Sequence, residues 1–181
     1  YEKYIRIRSM TGGLSDEKDI CIAYLRIGDI YYSKLKFFEN AAASYNDAVL
    51  TVRSRHGSVL FTKANLKLGL ALMQQSDFKN AEETLQVALR SASSKESITN
   101  QEHLAKYVYC HLGRLNTKFK EHTKALGNFA KYLSISLSSS DVECAMDAYF
   151  NLGMCFLQGF DDGFATRIED FLLKFSIDGT P

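Results

Sequence analysis

A chain of 181 residues with 46% apolar and 24% charged side chains can bury an ordinary core, which excludes a disordered polar tail. A net charge of +1 removes the long-range pull that a general polyanion binder needs, so nucleic acid is not an expected partner. The lone proline, Pro181, and the lack of tryptophan describe helices that are almost never interrupted.

No apolar stretch is long enough to span a bilayer, and no segment resembles a signal peptide, so no membrane partner is expected. Cys21, Cys110, Cys144 and Cys155 form no CxxC pair and read as small buried hydrophobes in a reducing compartment. No Asn-x-Ser/Thr acceptor occurs. These features together predict an intracellular, cytoplasmic protein, with the nucleus left open.

The first ten residues read as the tail of a second helix, because Tyr4 and Ile7 stand in the register of a later pair, Tyr45 and Ala48. A polar loop over 11–15 leads into the first complete hairpin, expected over 19–54. Its first helix carries Tyr24, Ile27, Gly28 and Tyr31, and after the turn Lys34-Leu-Lys36 its second carries Ala41, Tyr45 and Ala48. Arg53, Arg55 and His56 end that helix, well placed against its dipole. The second hairpin, 58–93, repeats the pattern: Asn65-Leu-Lys-Leu-Gly69, the turn Gln74-Gln-Ser-Asp77, then Ala81, Leu85 and Ala88.

The third, 99–138, opens on a capping box, Thr99-x-x-Glu102. It continues through Tyr109-Cys-His-Leu-Gly113, the turn Lys118-Phe-Lys120, and Ala125, Phe129 and Tyr132. The fourth, 141–175, opens on Ser140-x-x-Glu143, reaches Tyr149-Phe-Asn-Leu-Gly153, and turns at Gly159-Phe-Asp-Asp-Gly163, where the aspartates cap the last helix. It then departs from the pattern. Ala165 is in place, but the large residue four later is Glu169, and Phe171, Leu172, Leu173 and Phe175 cluster beyond it. The apolar cluster predicts a following helix in a longer array, so adjoining repeats of the same protein are expected neighbours.

Gly28, Gly69, Gly113 and Gly153 are thus spaced by 41, 44 and 40 residues, each followed by an alanine after 12 or 13. A fixed period of this size is the mark of a stacked array. Residues four before, one before and three after each glycine share one helix stripe, the stripe to be buried. Glycine in mid-helix costs about 0.8–1 kcal/mol against alanine, so its recurrence predicts close approach of the second helix.

Leu-Gly, an aromatic four before, an aromatic three after, then Ala and a Phe or Tyr four later: this frame resembles the tetratricopeptide repeat (TPR), over about residues 1–175. Asn65, Asn116 and Glu169 depart from its pattern, and the proline usual near a unit's end is missing. The long steps look like those of cytoplasmic scaffolds such as the Pins/LGN family, and of some bacterial peptide-sensing regulators. The resemblance implies an all-α, right-handed TPR-like α-solenoid of antiparallel helical hairpins, whose first helices line a concave groove.

Helical geometry then places Ile22, Leu25, Asp29 and Tyr32 on the inward stripe of the first unit. Lys63, Leu66, Leu70 and Met73 follow in the second, Tyr107, Cys110, Arg114 and Thr117 in the third, and Asp147, Phe150, Met154 and Leu157 in the fourth. Tyr, Met, Phe and Arg are enriched at interfaces. The expected partner-binding residues are Tyr32, Lys63, Lys67, Leu70, Met73, Tyr107, His111, Arg114, Lys118, Phe150 and Met154. The basic members predict a protein or peptide ligand, amphipathic and partly acidic. The blander alternative is that Leu66, Leu70, Cys110 and Phe150 merely pack neighbouring first helices together.

Many TPR cochaperones hold a carboxylate of heat-shock chaperones with two lysines, two asparagines and an arginine. Leu25, Asp29, Lys67, Tyr107 and His111 stand at those positions here, so that clamp is absent. His56, His103, His111 and His122 fit no metal pattern and read as polar helix residues. The glycine pairs lack the context of a phosphate loop. No cofactor, metal or catalytic group is expected. The function expected is a non-catalytic scaffold holding a partner in the groove. A peptide-gated regulator, whose curvature changes on binding, is the alternative.

Overall fold

The computed structural model describes residues 14–54, 58–93 and 98–160, and every element among them is helical. Seven α-helices follow one another: α1 (Leu14–Asp29), α2 (Phe38–Thr51), α3 (Val59–Gln74), α4 (Phe78–Ala92), α5 (Ile98–Lys118), α6 (His122–Ser138) and α7 (Val142–Phe160). The chain forms two compact units that divide between Leu112 and Gly113, inside α5. In the first unit α1 packs on α2, α2 on α3 and α3 on α4, and α1 also touches α3. In the second, α6 packs on α7. This is an all-α helical-repeat fold.

The repeated glycines do what their spacing requires. A methyl group on Gly28 would stand 2.5 Å from Tyr45 Cδ1, on Gly69 2.7 Å from Leu85 Cγ, and on Gly113 2.5 Å from Phe129 Cε1. In each case the large residue four after the alanine fills the space a side chain would need. Tyr45, Leu85 and Phe129 are fully buried there, each contributing roughly 1.5–3 kcal/mol of apolar burial. The alanines Ala41, Ala81 and Ala125 are also fully buried, which lets the paired helices close.

Tight turns join the helices. Ser76, Lys120 and Ser140 adopt the left-handed conformation, with φ of 61°, 60° and 54°. After each, an amide reaches back five residues: Asp77 N–H to the Leu72 carbonyl at 3.0 Å, Glu121 to Asn116 at 2.8 Å, and Asp141 to Ser136 at 2.9 Å. This is the Schellman closure, which satisfies carbonyls that a helix end otherwise leaves bare. The first hairpin differs. Its last turn, Ile30–Leu35, is π-helical, Lys36 takes the left-handed position, and Phe37 N–H reaches six residues back to the Tyr31 carbonyl at 3.0 Å.

Some expectations need correction. Helix α1 begins at Leu14, so the loop expected over 11–15 yields its end to the helix. Helix α7 runs through Gly159 to Phe160, where a turn was expected to start. Its cap is Asp141, whose Oδ1 accepts from Cys144 N–H at 3.1 Å. Ser140 is instead the left-handed residue that ends α6, because one short turn serves both helices. Thr99 lies inside α5, one residue past its start. His122, expected as a polar helix residue, opens α6 and is buried, where its carbonyl accepts from the Cys155 thiol at 3.6 Å. The tail over 1–10, Arg55, His56 and everything expected over 161–175 lie outside the described residues.

The asparagines that break the apolar pattern are buried and satisfied. Asn65 Nδ2 donates to the Phe61 carbonyl at 2.8 Å. Asn116 donates to Glu121 Oε2 at 3.0 Å and accepts from Asn128 Nδ2 at 2.8 Å. A buried amide with its partners in place costs little. Cys21, Cys110 and Cys155 are buried and Cys144 half-buried. Burial pushes the Cys21 thiol up to about 11 against a smaller lowering by Lys63, and burial likewise raises Cys155, opposed by a bond from Thr117. Neither behaves as a ready thiolate. No helix among the described residues is long and apolar enough to cross a membrane.

Candidate partner-binding face

The inward stripe divides into two rows. Leu25, Leu66 and Cys110, three residues before the glycines, are buried and pack helices together, as the blander reading has it. The residues around them stay open: Ile22, Lys63 and Tyr107 are exposed, while Asp29, Tyr32, Leu70 and Met73 are half-buried.

In the first unit three of the expected site residues converge. Tyr32, Lys67 and Leu70 line a cavity of about 290 Å³ together with Asp29, Ser33 and Tyr45. Asp29 ends α1, one residue after Gly28, and Lys67 sits on α3 two residues before Gly69. The contact of α1 with α3 brings these two together across 38 positions, and Lys67 Nζ bonds to Asp29 Oδ1. The Tyr45 hydroxyl donates to the same oxygen at 2.7 Å. Lys67 also lies over the Tyr45 ring, 5.7 Å from its centroid. Tyr32 is braced edge-on by Phe38 at 5.4 Å between centroids. The Ser33 hydroxyl donates to the Asp29 carbonyl.

Burial, and after it the bond to Asp29 and that carboxylate's charge, hold the Tyr45 phenol well above its ordinary range. Lys63 and Met73 belong to the same helix but do not line the cavity. Tyr107 and His111 lie on α5, also in the first unit, where the buried Lys106 holds its ammonium 5.1 Å from the Tyr107 ring centroid.

In the second unit Arg114 grips Asp147 through both carboxylate oxygens at 3.1 Å each. Both side chains are more than a third exposed, so the pair contributes on the order of 0–1 kcal/mol. Lys118 is exposed at the end of α5. Phe150, Met154 and Leu157 are exposed on α7, and Val142, Met146 and Tyr149 widen that apolar face.

Two of the four expected cations, Lys67 and Arg114, are thus neutralised by aspartates. The sequence reading placed Asp29 and Asp147 on the stripe without pairing them. No local pattern reports either pairing, because the partner stands 38 residues away in one case and 33 in the other. Lys67, the one basic residue at the heat-shock clamp positions, is bound to the Asp29 carboxylate. Among the described residues no group of three or more His, Cys, Asp or Glu side chains is placed to hold a metal ion.

No family model and no curated protein sequence matches the chain. Among solved structures it is similar to BtubC (BKLC) from P. vanneervenii, with a TM-score of 0.71 at 18% identity. The match covers 91% of this chain and 67% of that one. At that identity the likeness speaks for the helical fold alone.

Proposed function

We propose that the chain is a non-catalytic, TPR-like binding array of the cell interior that holds a partner protein by a peptide or amphipathic helix. The binding face is built from α1 and α3, both in the first unit. The observation that carries this reading is the cavity between Asp29, Tyr32, Tyr45, Lys67 and Leu70. Binding sites are concave and mostly apolar with a few placed polar groups, and this one has that make-up. Lys63, exposed one turn before Lys67, gives the surrounding surface a basic edge suited to an acidic residue flanking the anchor.

A displayed library of random peptides selected on the whole chain tests this. Binders should enrich, weaken at least tenfold on Leu70→Trp, and be indifferent to Gln86→Ala on the exposed side of α4. Failure to enrich any sequence, or binders that ignore Leu70→Trp, would reject the assignment.

A further inference from the structure

The step from glycine to alanine is 13 residues in the first hairpin and 12 in the second and third. The extra residue is absorbed by the π-helical turn Ile30–Leu35, the one such turn among the described residues. Turns of this kind recur at functional sites because they re-aim side chains that a regular helix would send elsewhere. Here the turn supplies Tyr32 and Ser33, which with Asp29 just before them form half of the cavity lining.

The chemistry of that cavity is selective. Tyr32, Tyr45 and Leu70 supply flat or branched apolar walls. At the polar end Asp29 Oδ1 already accepts from both Tyr45 and Lys67, whereas Oδ2 takes no hydrogen bond among the described residues. A carboxylate accepts at both oxygens, and an ammonium has three donors, so an acceptor and spare donors stand side by side. A second cation entering here meets Lys67, and an anion meets Asp29. A neutral group that both donates and accepts satisfies both partners. A phenol hydroxyl does so at the far end of an aromatic ring, while an indole N–H donates only.

We propose that the cavity takes the side chain of a tyrosine from the partner, its hydroxyl donating to Asp29 Oδ2 and accepting from Lys67. This rests on the binding-face reading above and gives that face its anchor. Phosphorylation of such a tyrosine replaces the donor with a dianion against Asp29 and excludes it from the site.

The probes are N-acetyl-tyrosinamide and N-acetyl-phenylalaninamide, titrated by NMR into the whole chain. The tyrosine probe should shift the Leu70 methyls and the Tyr32 and Ser33 amides saturably, with a millimolar dissociation constant. It should bind about tenfold more tightly than the phenylalanine probe, the worth of a hydrogen bond to a charged group. Asp29→Asn turns the Oδ2 acceptor into a donor and should erase that preference, while Leu70→Trp, which fills the cavity, should abolish both titrations with helicity retained. Equal binding of the two probes to the wild-type chain overturns the inference, as does the lack of any saturable shift. Neither result touches the peptide selection, which stands or falls on its own readout.

Discussion

The first helices of the hairpins share one sequence frame and end in two different states. Seven residues before the frame glycine stand Cys21, Thr62 and Lys106, none more than 1% exposed, and then Met146 at 67%. Three before it stand Leu25, Leu66 and Cys110, buried, and then Phe150, also at 67%. A methyl group on Gly28, Gly69 or Gly113 would collide with a large side chain, while nothing among the described residues lies within 4 Å of where one on Gly153 would stand. The frame marks which face is made to be closed; whether it is closed depends on a neighbour. Where Tyr45, Leu85 and Phe129 enter the glycine notch of the first three hairpins, the corresponding residue of the fourth is Glu169. A carboxylate in such a notch would have to be desolvated without a partner, which is strongly unfavourable.

The sharpest way to break this comparison is to empty a closed notch and an open face in parallel. Phe129→Ala removes a fully buried ring and should cost about 3–5 kcal/mol in urea unfolding, whereas Phe150→Ala on α7 should stay within roughly 0.5 kcal/mol. Equal losses would mean that the exposed face of α7 is covered in solution.

Filling the notches gives a smaller effect that changes sign between the two regions. Gly113→Ala should destabilise by about 1–3 kcal/mol through overpacking against Phe129, despite alanine's better helix propensity. Gly153→Ala meets no neighbour among the described residues and should stabilise by about 0.8–1 kcal/mol, the propensity gain alone. A loss at Gly153 would show a helix seated there after all.

The smallest effect sharpens the comparison at the one notch that carries a titratable group. The Tyr45 phenol is raised in the folded state, chiefly by burial, so its contribution to stability is complete below the unfolded-state value near pH 10. Above that pH the unfolded chain releases the proton while the folded one keeps it, and stability falls by up to about 1.4 kcal/mol per pH unit. Chemical unfolding from pH 8 to 11 should show this decline, and Tyr45→Phe should flatten it. An unchanged slope in the variant would assign the alkaline loss elsewhere.

Much of the fold was legible because one physical demand recurs at a fixed spacing. A mid-helix glycine needs a large residue to excuse it, and Tyr45, Leu85 and Phe129 stand where the alanine register puts them. The candidate site was legible only in part. Tyr32 and Leu70 could be placed on a common stripe from helical spacing, but Lys67 stood out only as a basic residue, and its pairing with Asp29 lies across 38 residues, where no local pattern reports it. Ser140 and Asp141 were confused as caps because both carry a cap-forming side chain. Only the backbone, which bends left at Ser140, decides between them. The π-helical turn left a faint trace, the thirteenth residue between Gly28 and Ala41, which spacing alone cannot convert into a geometry.

That thirteenth residue makes the first hairpin separable into two independent parts, a structural seam and the proposed recognition surface. Deleting one position between Ile30 and Leu35 would restore the length used by the other hairpins and leave Tyr45 against Gly28. The positions now held by Tyr32 and Ser33 would swing about 100° around the helix axis, away from Asp29 and Lys67. A single-codon loss would therefore remove the proposed recognition while sparing the seam between Tyr45 and Gly28.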